Sequence, residues 1–316
     1  MIVLYILFAL SVFCPFYTYV IYPMILKIIK GKQYKSENIT PTVTVIVVGD
    51  NTENKIKETK HSNYSSVEVV AGNYEDASKS NGDIIVFTDT KTELDLNAIH
   101  NIVKPFFDER VGVVVGQQTN AKGNSAFWKY ENLVKKLESK IGCVSGANNS
   151  LFAVRKTDLP VVPSKVINKP FYIVTKITEL GKAVVFQDSA KAYEGDSEGA
   201  NFEKHVKDAA GYWQALKLFP KMLLPRPGSF VYISHRVMKW FVWLNLVMMI
   251  VISGFLGLFG SVLMQVLFWL QIACYLILLA FGKRKISGAI GKLIGIGYYF
   301  MMLNVSFFIG MFKVNL

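Results

Sequence analysis

Long apolar runs sit at both ends of this chain, and between them short apolar runs alternate with polar segments of helical spacing. The first run, Ile2 to Ile29, is broken by Pro15 and Pro23 and leaves through Lys27, Lys30 and Lys32. A bilayer needs about 20 apolar residues, so this run predicts a membrane-spanning helix. It lacks the basic start and short apolar core of a cleaved signal peptide. Trp240–Phe259, Ser261–Phe281 and Ile290–Phe312 predict three more spans. Just before them, FPKMLLPRPGSFVYISHRVMKW mixes aromatic, basic and proline residues, which suits a segment lying in the membrane interface.

The middle reads as an α/β domain. TVTVIVV from Thr42 predicts a buried strand, and Asp50-Asn51-Thr52 a cap for a helix over ENKIKE. SSVEVVAGN predicts a second strand, Tyr74 to Ser80 a short polar helix, and GDIIVFTD a third, central strand. Leu94 to Phe107 predicts an amphipathic helix with Ile99, Ile102, Val103 and Phe106 on one face. Strand Val111–Gly116, helix Phe127–Ile141, a glycine-rich turn into LFAV, helix Phe171–Leu180, strand AVVF and helix Phe202–Phe219 follow. Strands alternating with helices predict a mostly parallel sheet. The chain thus divides into a span over 1–30, a domain over 31–215, an interfacial segment over 216–239 and three spans over 240–316.

Composition agrees. The 316 residues are 52% hydrophobic, and the mean hydropathy is +0.32. The net charge of +12 sits largely beside the apolar runs. Basic loops on the cytoplasmic side of a membrane explain it without a nucleic-acid partner. That rule places the domain and the Gly282–Lys285 loop in the cytoplasm and both termini outside, in the plasma membrane of a bacterium if the Lys-, Asn- and Ile-rich composition is a guide. Three cysteines are too few for a disulfide framework, and the four histidines have no ligand spacing. Gln271 and Asn304, inside apolar runs, are expected at helix contacts.

Candidate chemistry centres on Asp89, which ends the central strand; in open α/β sheets ligands bind at that end. An Asp-x-Asp there would set two carboxylates on one hard cation. Lys91 holds the second position.

The ordered set TVTVIVV, VEVV, GDIIVFTD, VGVVVGQQT, WKYENLVKKLES, GANNSLFAVRK, FYIVTKITELGKAVVF, AGYWQAL and FVYISHRVMKW resembles the family 2 membrane glycosyltransferases. These are the polysaccharide synthases related to cellulose, hyaluronan and poly-N-acetylglucosamine synthases. The resemblance covers about residues 42 to 240. It implies a GT-A-like domain, an α/β fold with a mixed, mostly parallel sheet, inserted between transmembrane helices. It also implies site positions, and this chain departs from each. No acid stands in Ala71-Gly72-Asn73, where the family has an acidic turn, and a helix and strand that normally follow are missing. The Asp-x-Asp survives as Asp89 with Lys91. The base carboxylate is replaced at Lys169 and Pro170, and Asp158 and Glu179 are not placed to stand in for it. The Gln-x-x-Arg-Trp motif keeps Gln214 but has Lys217 and Leu218. Gly146, Asn148 and Asn149 match the turn that approaches the acceptor sugar.

The expectation is a pseudo-glycosyltransferase with no metal and no cofactor. It would sit in the lipid bilayer as part of a hetero- or homo-oligomer, supporting an active synthase in polysaccharide synthesis or export. The alternatives are an active enzyme using a UDP-sugar with Mg or Mn, one in which Lys91 or Lys169 replaces the metal's charge, or a membrane scaffold or channel subunit.

Overall fold

The computed structural model describes residues 1–120, 126–194, 202–284 and 286–314. They fall into two compact units: Met1–Tyr22 with Ala200–Gln214 and Ser234–Leu316, and Pro23–Gly199 with Ala215–Ile233. In chain order the principal helices are α1 (Ile2–Ile28), α2 (Glu53–Lys60), α3 (Ala98–Val103), α4 (Ala126–Ser139), α5 (Lys169–Glu179), α6 (Phe202–Leu218), α7 (Gly228–Trp240), α8 (Val242–Leu258), α9 (Val262–Phe281) and α10 (Gly288–Met311).

The second unit is built on seven strands: β1 (Val43–Val48), β2 (Val67–Ala71), β3 (Ile84–Asp89), β4 (Thr92–Leu94), β5 (Val111–Asn120), β6 (Phe152–Arg155) and β7 (Ala183–Glu194). Their order is β2-β1-β3-β6-β5-β7-β4. β2, β1 and β3 pair in parallel, as do β5 and β7; β6 runs antiparallel to β3 and β5, and β4 to β7. The sheet is mixed and mostly parallel. Side chains alternate between faces, so Val43, Val45, Val47 and Val86 pack with Ile99, Ile102 and Phe106 on one side. Ile46, Ile85, Phe87 and Phe152 pack with Ile173, Val174 and Ile177 on the other. Burial on both faces is why these strands read as unbroken apolar runs.

Several local expectations need correction. The helix expected over Leu94–Phe107 begins only at Ala98, because Thr92–Leu94 pairs as a strand with β7, and it tightens to a 3₁₀ turn over Lys104–Phe107 around Pro105. The strands expected over Val111–Gly116 and AVVF run on to Asn120 and Glu194, pairing with each other past a register shift. Thr52 is the N-cap of α2 but makes no side-chain capping bond, and Asn51 turns into the left-handed region at φ +56°. The expected helix over Tyr74–Ser80 is a 3₁₀ turn, Tyr74–Lys79. α5 starts at Lys169, two residues before Phe171, because Asn168 Oδ1 accepts the Phe171 N–H at 3.2 Å.

In the first unit α1, α9 and α10 are long and apolar enough to cross a membrane. The span expected over Trp240–Phe259 is not one straight helix. α8 has 17 residues and is bent by 50° from α7, so the pair makes a span only as a broken one. Gln271 Nε2 donates to Ser253 Oγ at 3.2 Å, joining α9 to α8. Asn304, although buried, donates to its own helix at Phe300 O, 2.8 Å away.

Candidate functional site

The register pairs Val48 with Asp89, so β1 and β3 end together. Just beyond, Gly49 holds φ +129°, and a Cβ there would lie 2.9 Å from Thr90 Oγ1. Only glycine suits that backbone. Asp89 Oδ1 accepts the Lys91 N–H at 3.0 Å and the Thr92 hydroxyl at 2.6 Å. One carboxylate oxygen is therefore engaged in shaping the β3–β4 turn. The Lys91 side chain is exposed beside it.

The matching turn before β6 is tied down from two sides. Thr88 Oγ1 donates to Ser150 O at 2.9 Å, and the fully buried Glu138 accepts the Ser145 N–H at 2.9 Å. Gly146 is buried, Asn148 half-buried and Asn149 exposed. Among the described residues Asn148 Oδ1 has no hydrogen-bond partner.

What joins these pieces is the 3₁₀ turn after β2. The Tyr74 ring stacks 4.8 Å from Phe87, which stacks 4.9 Å from Phe152. The Tyr74 hydroxyl donates to Asn149 Oδ1 at 2.6 Å. Burial, reinforced by the charge of Asp89, pushes that hydroxyl far above the usual phenol range, so it stays protonated. Next door, Glu75 Oε1 lies 2.6 Å from Lys169 Nζ. The hydrogen bond from Lys169 lowers the Glu75 carboxyl below its ordinary value. Pro170, buried at the start of α5, offers neither a proton acceptor on its side chain nor an N–H.

The structure thus gathers around Tyr74 and Glu75 the residues that the resemblance matched to a metal site (Asp89, Lys91), a base (Lys169, Pro170) and an acceptor turn (Asn149). It does not gather the others. Gln214 is buried in α6 in the first unit, while Lys217 and Leu218 are exposed. Asp158 lies 3.4 Å from Lys182 and 3.8 Å from Arg155, and Glu179 lies 2.6 Å from Lys176, so both serve structural ion pairs. Sequence reasoning missed Tyr74, Glu75 and Thr92. The available signal was the Asn73-x-x-Asp76 spacing, since Asp76 Oδ2 accepts the Asn73 N–H at 2.9 Å and nucleates the turn.

These residues are a poor fit for a divalent cation. At a phosphate site such an ion keeps several waters and takes one or two protein carboxylates plus substrate phosphates, so those carboxylates must be free of a competing cation. Asp89 brings one carboxylate, already bonded to its turn, and an ammonium stands two residues on. No three His, Cys, Asp or Glu side chains come together among the described residues. The cavity lined by Ser145, Thr178, Met222 and Tyr232, and another lined by Glu58, Thr59, Leu94 and Ile99, include none of the site residues.

No protein-family model and no curated protein matches the chain in sequence. Among solved structures it is similar to the mannosyltransferase PcManGT from Pyrobaculum calidifontis in complex with GDP-Man and Mn2+. The TM-score is 0.74 at 15% identity, covering 98% of each chain. Glucosyl-3-phosphoglycerate synthase from Mycobacterium tuberculosis aligns with 56% of this chain and 79% of its own (TM-score 0.41, 14% identity). GalNAc-T7 aligns with 57% and 48% (TM-score 0.37, 12% identity). The full-length match, on the sheet and helices described above, shows that this chain has the GT-A-type glycosyltransferase fold.

Proposed function

We propose that this protein is a membrane-embedded pseudo-glycosyltransferase, a GT-A subunit that has lost its own chemistry and supports an active synthase in polysaccharide synthesis or export. The observation that carries the reading is the Lys169–Glu75 ion pair at the base position. Glycosyl transfer needs a group that takes the acceptor's hydroxyl proton. A protonated lysine cannot accept it, and the carboxylate beside it is held ionised by that same lysine. The departing nucleotide needs its diphosphate charge neutralised, and the donor set around Asp89 does not suit a metal. The soluble domain is taken as cytoplasmic and both termini as external. The helices α1, α9 and α10, long and apolar enough to cross a bilayer, support the embedding.

The test is calorimetric titration of UDP and GDP into the full chain in detergent, with and without Mn2+. The expected result is no binding at micromolar concentration in any of the four conditions. Metal-dependent binding, or turnover of UDP- or GDP-sugars, would overturn the reading. A second reading is favoured by the exposed Lys91 ammonium at the end of β3, which could neutralise a diphosphate directly. It predicts metal-independent binding that Lys91→Gln abolishes.

A further inference from the structure

We propose that Lys217, Lys221 and Arg226, set among Leu218, Leu223, Leu224 and Phe230, form a surface for anionic phospholipid headgroups. This rests on the membrane embedding proposed above, not on the lost chemistry. It begins from how charge is distributed. All 23 acidic residues lie between Glu37 and Asp208, together with 21 of the 35 basic ones. The other 14 basic residues lie in the flanks, where not one acid occurs. The middle therefore carries −2, and the flanks +14. Membrane topology accounts for the lysines and arginines, but acidic residues contribute little to it. Apolar spans exclude acids by desolvation. The segment 209–240 ahead of the last spans, however, carries Lys217, Lys221, Arg226, Arg236 and Lys239 with no acid. That suits a surface facing lipid phosphates, which repel an acid within a Debye length.

The local structure mounts such a surface. α6 ends at Leu218, a 3₁₀ turn runs over Pro220–Leu223, and α7 begins just after Arg226. Phe219 and Met222 turn inward and are buried, Phe219 against the Tyr172 ring at 5.3 Å. They anchor the segment to the domain. The residues around them turn outward: Leu218, Leu223 and Leu224 are 41%, 42% and 56% exposed, and Lys217, Lys221 and Arg226 are exposed as well. Among the described residues no carboxylate lies within ion-pair distance of these three cations. Leucines beside long basic side chains can enter the acyl boundary while the charged ends reach the phosphates.

The experiment titrates the full chain in detergent with dioctanoyl phosphatidylglycerol or dioctanoyl phosphatidylcholine and reads bound lipid by native mass spectrometry. Phosphatidylglycerol should bind more tightly, with a preference that falls as salt rises. Each basic residue near an anionic lipid surface contributes about fivefold. The combined variant K217Q/K221Q/R226Q should therefore lose about 100-fold in phosphatidylglycerol affinity and nothing for phosphatidylcholine. K57Q/K60Q, on α2 in the acid-bearing middle, should change neither. Equal affinity for the two lipids would overturn the proposal. So would an unchanged triple variant, an equal loss in K57Q/K60Q, or a loss confined to K27Q/K30Q/K32Q. No nucleotide enters this readout, so its failure leaves the degenerate-site reading standing. Recovery of the chain in the soluble fraction after a carbonate wash would instead remove the embedding itself.

Discussion

Tyr74 separates two contributions that hold the ends of β3 and β6 together, and substituting it twice measures each. Tyr74→Phe removes only the bond from its hydroxyl to Asn149 Oδ1. Asn149 is exposed, so water satisfies the freed acceptor, and the loss is about 1 kcal/mol. Tyr74→Ala also removes a ring that is 7% exposed and stacked on Phe87. Phe87 and Phe152 are pinned in adjacent strands by the β3–β6 ladder, so they cannot close the void. The cost should then reach the aromatic-to-alanine range of about 3–5 kcal/mol. Hydrogen exchange of the β3 amides in the detergent-solubilised full chain reads both, because those amides report opening of this core. The expected acceleration is about fivefold for the phenylalanine variant and at least about 100-fold for the alanine variant. If alanine accelerated exchange less than about fivefold, the ring would not belong to the core. If both variants behaved alike, the hydrogen bond rather than packing would be holding the turn.

Three further outcomes are expected. Asp108 accepts from Arg110 Nη2 at 2.6 Å and from the Lys35 N–H at 3.2 Å, and the guanidinium holds its carboxyl well below the usual range. That stabilisation is present above about pH 4, the unfolded value, and is lost as pH falls toward the folded one. Asp108→Asn should cost about 1–2 kcal/mol and speed trypsin cleavage at the already exposed Lys32 and Lys35, as limited proteolysis would show. Burial raises Asp208 from 3.8 to about 6, with Lys204 and Lys207 opposing, so its charged form disfavours folding. The penalty grows from about pH 4 and is complete above about pH 6. Asp208→Asn should therefore stabilise by about 2–3 kcal/mol at pH 7.5 and by only about 0.5 kcal/mol at pH 4, as melting curves at the two pH values would reveal. Lys91→Asp should confer neither Mn2+ binding nor turnover, because Asp89 still serves its turn and Lys169 still occupies the base position; calorimetry with Mn2+ checks this.

The segments whose conformation depends on their own residues were legible from sequence. The doubly buried strands announced themselves as valine and isoleucine runs, the long apolar runs announced helices of bilayer length, and the helical pattern from Phe171 placed the start of α5 to within two residues. The lysines at 91, 169 and 217 were equally visible, since they need only a position and a residue type. Whatever depended on a distant partner was not legible. Leu94 looks like the start of a helix until β7 returns to pair with Thr92–Leu94. The Lys169–Glu75 pair joins residues 94 apart in sequence, and Tyr74 meets Asn149 across 75. Local burial periodicity determines which elements form, because each side chain answers to its own neighbours along the helix or strand. Which charges then neutralise one another is decided only when the sheet brings the ends of β2, β3 and the start of α5 together. By itself the sequence determined which residue types stand at the ends of these strands; the tertiary structure decided that Tyr74 meets Asn149 and that Lys169 pairs with Glu75.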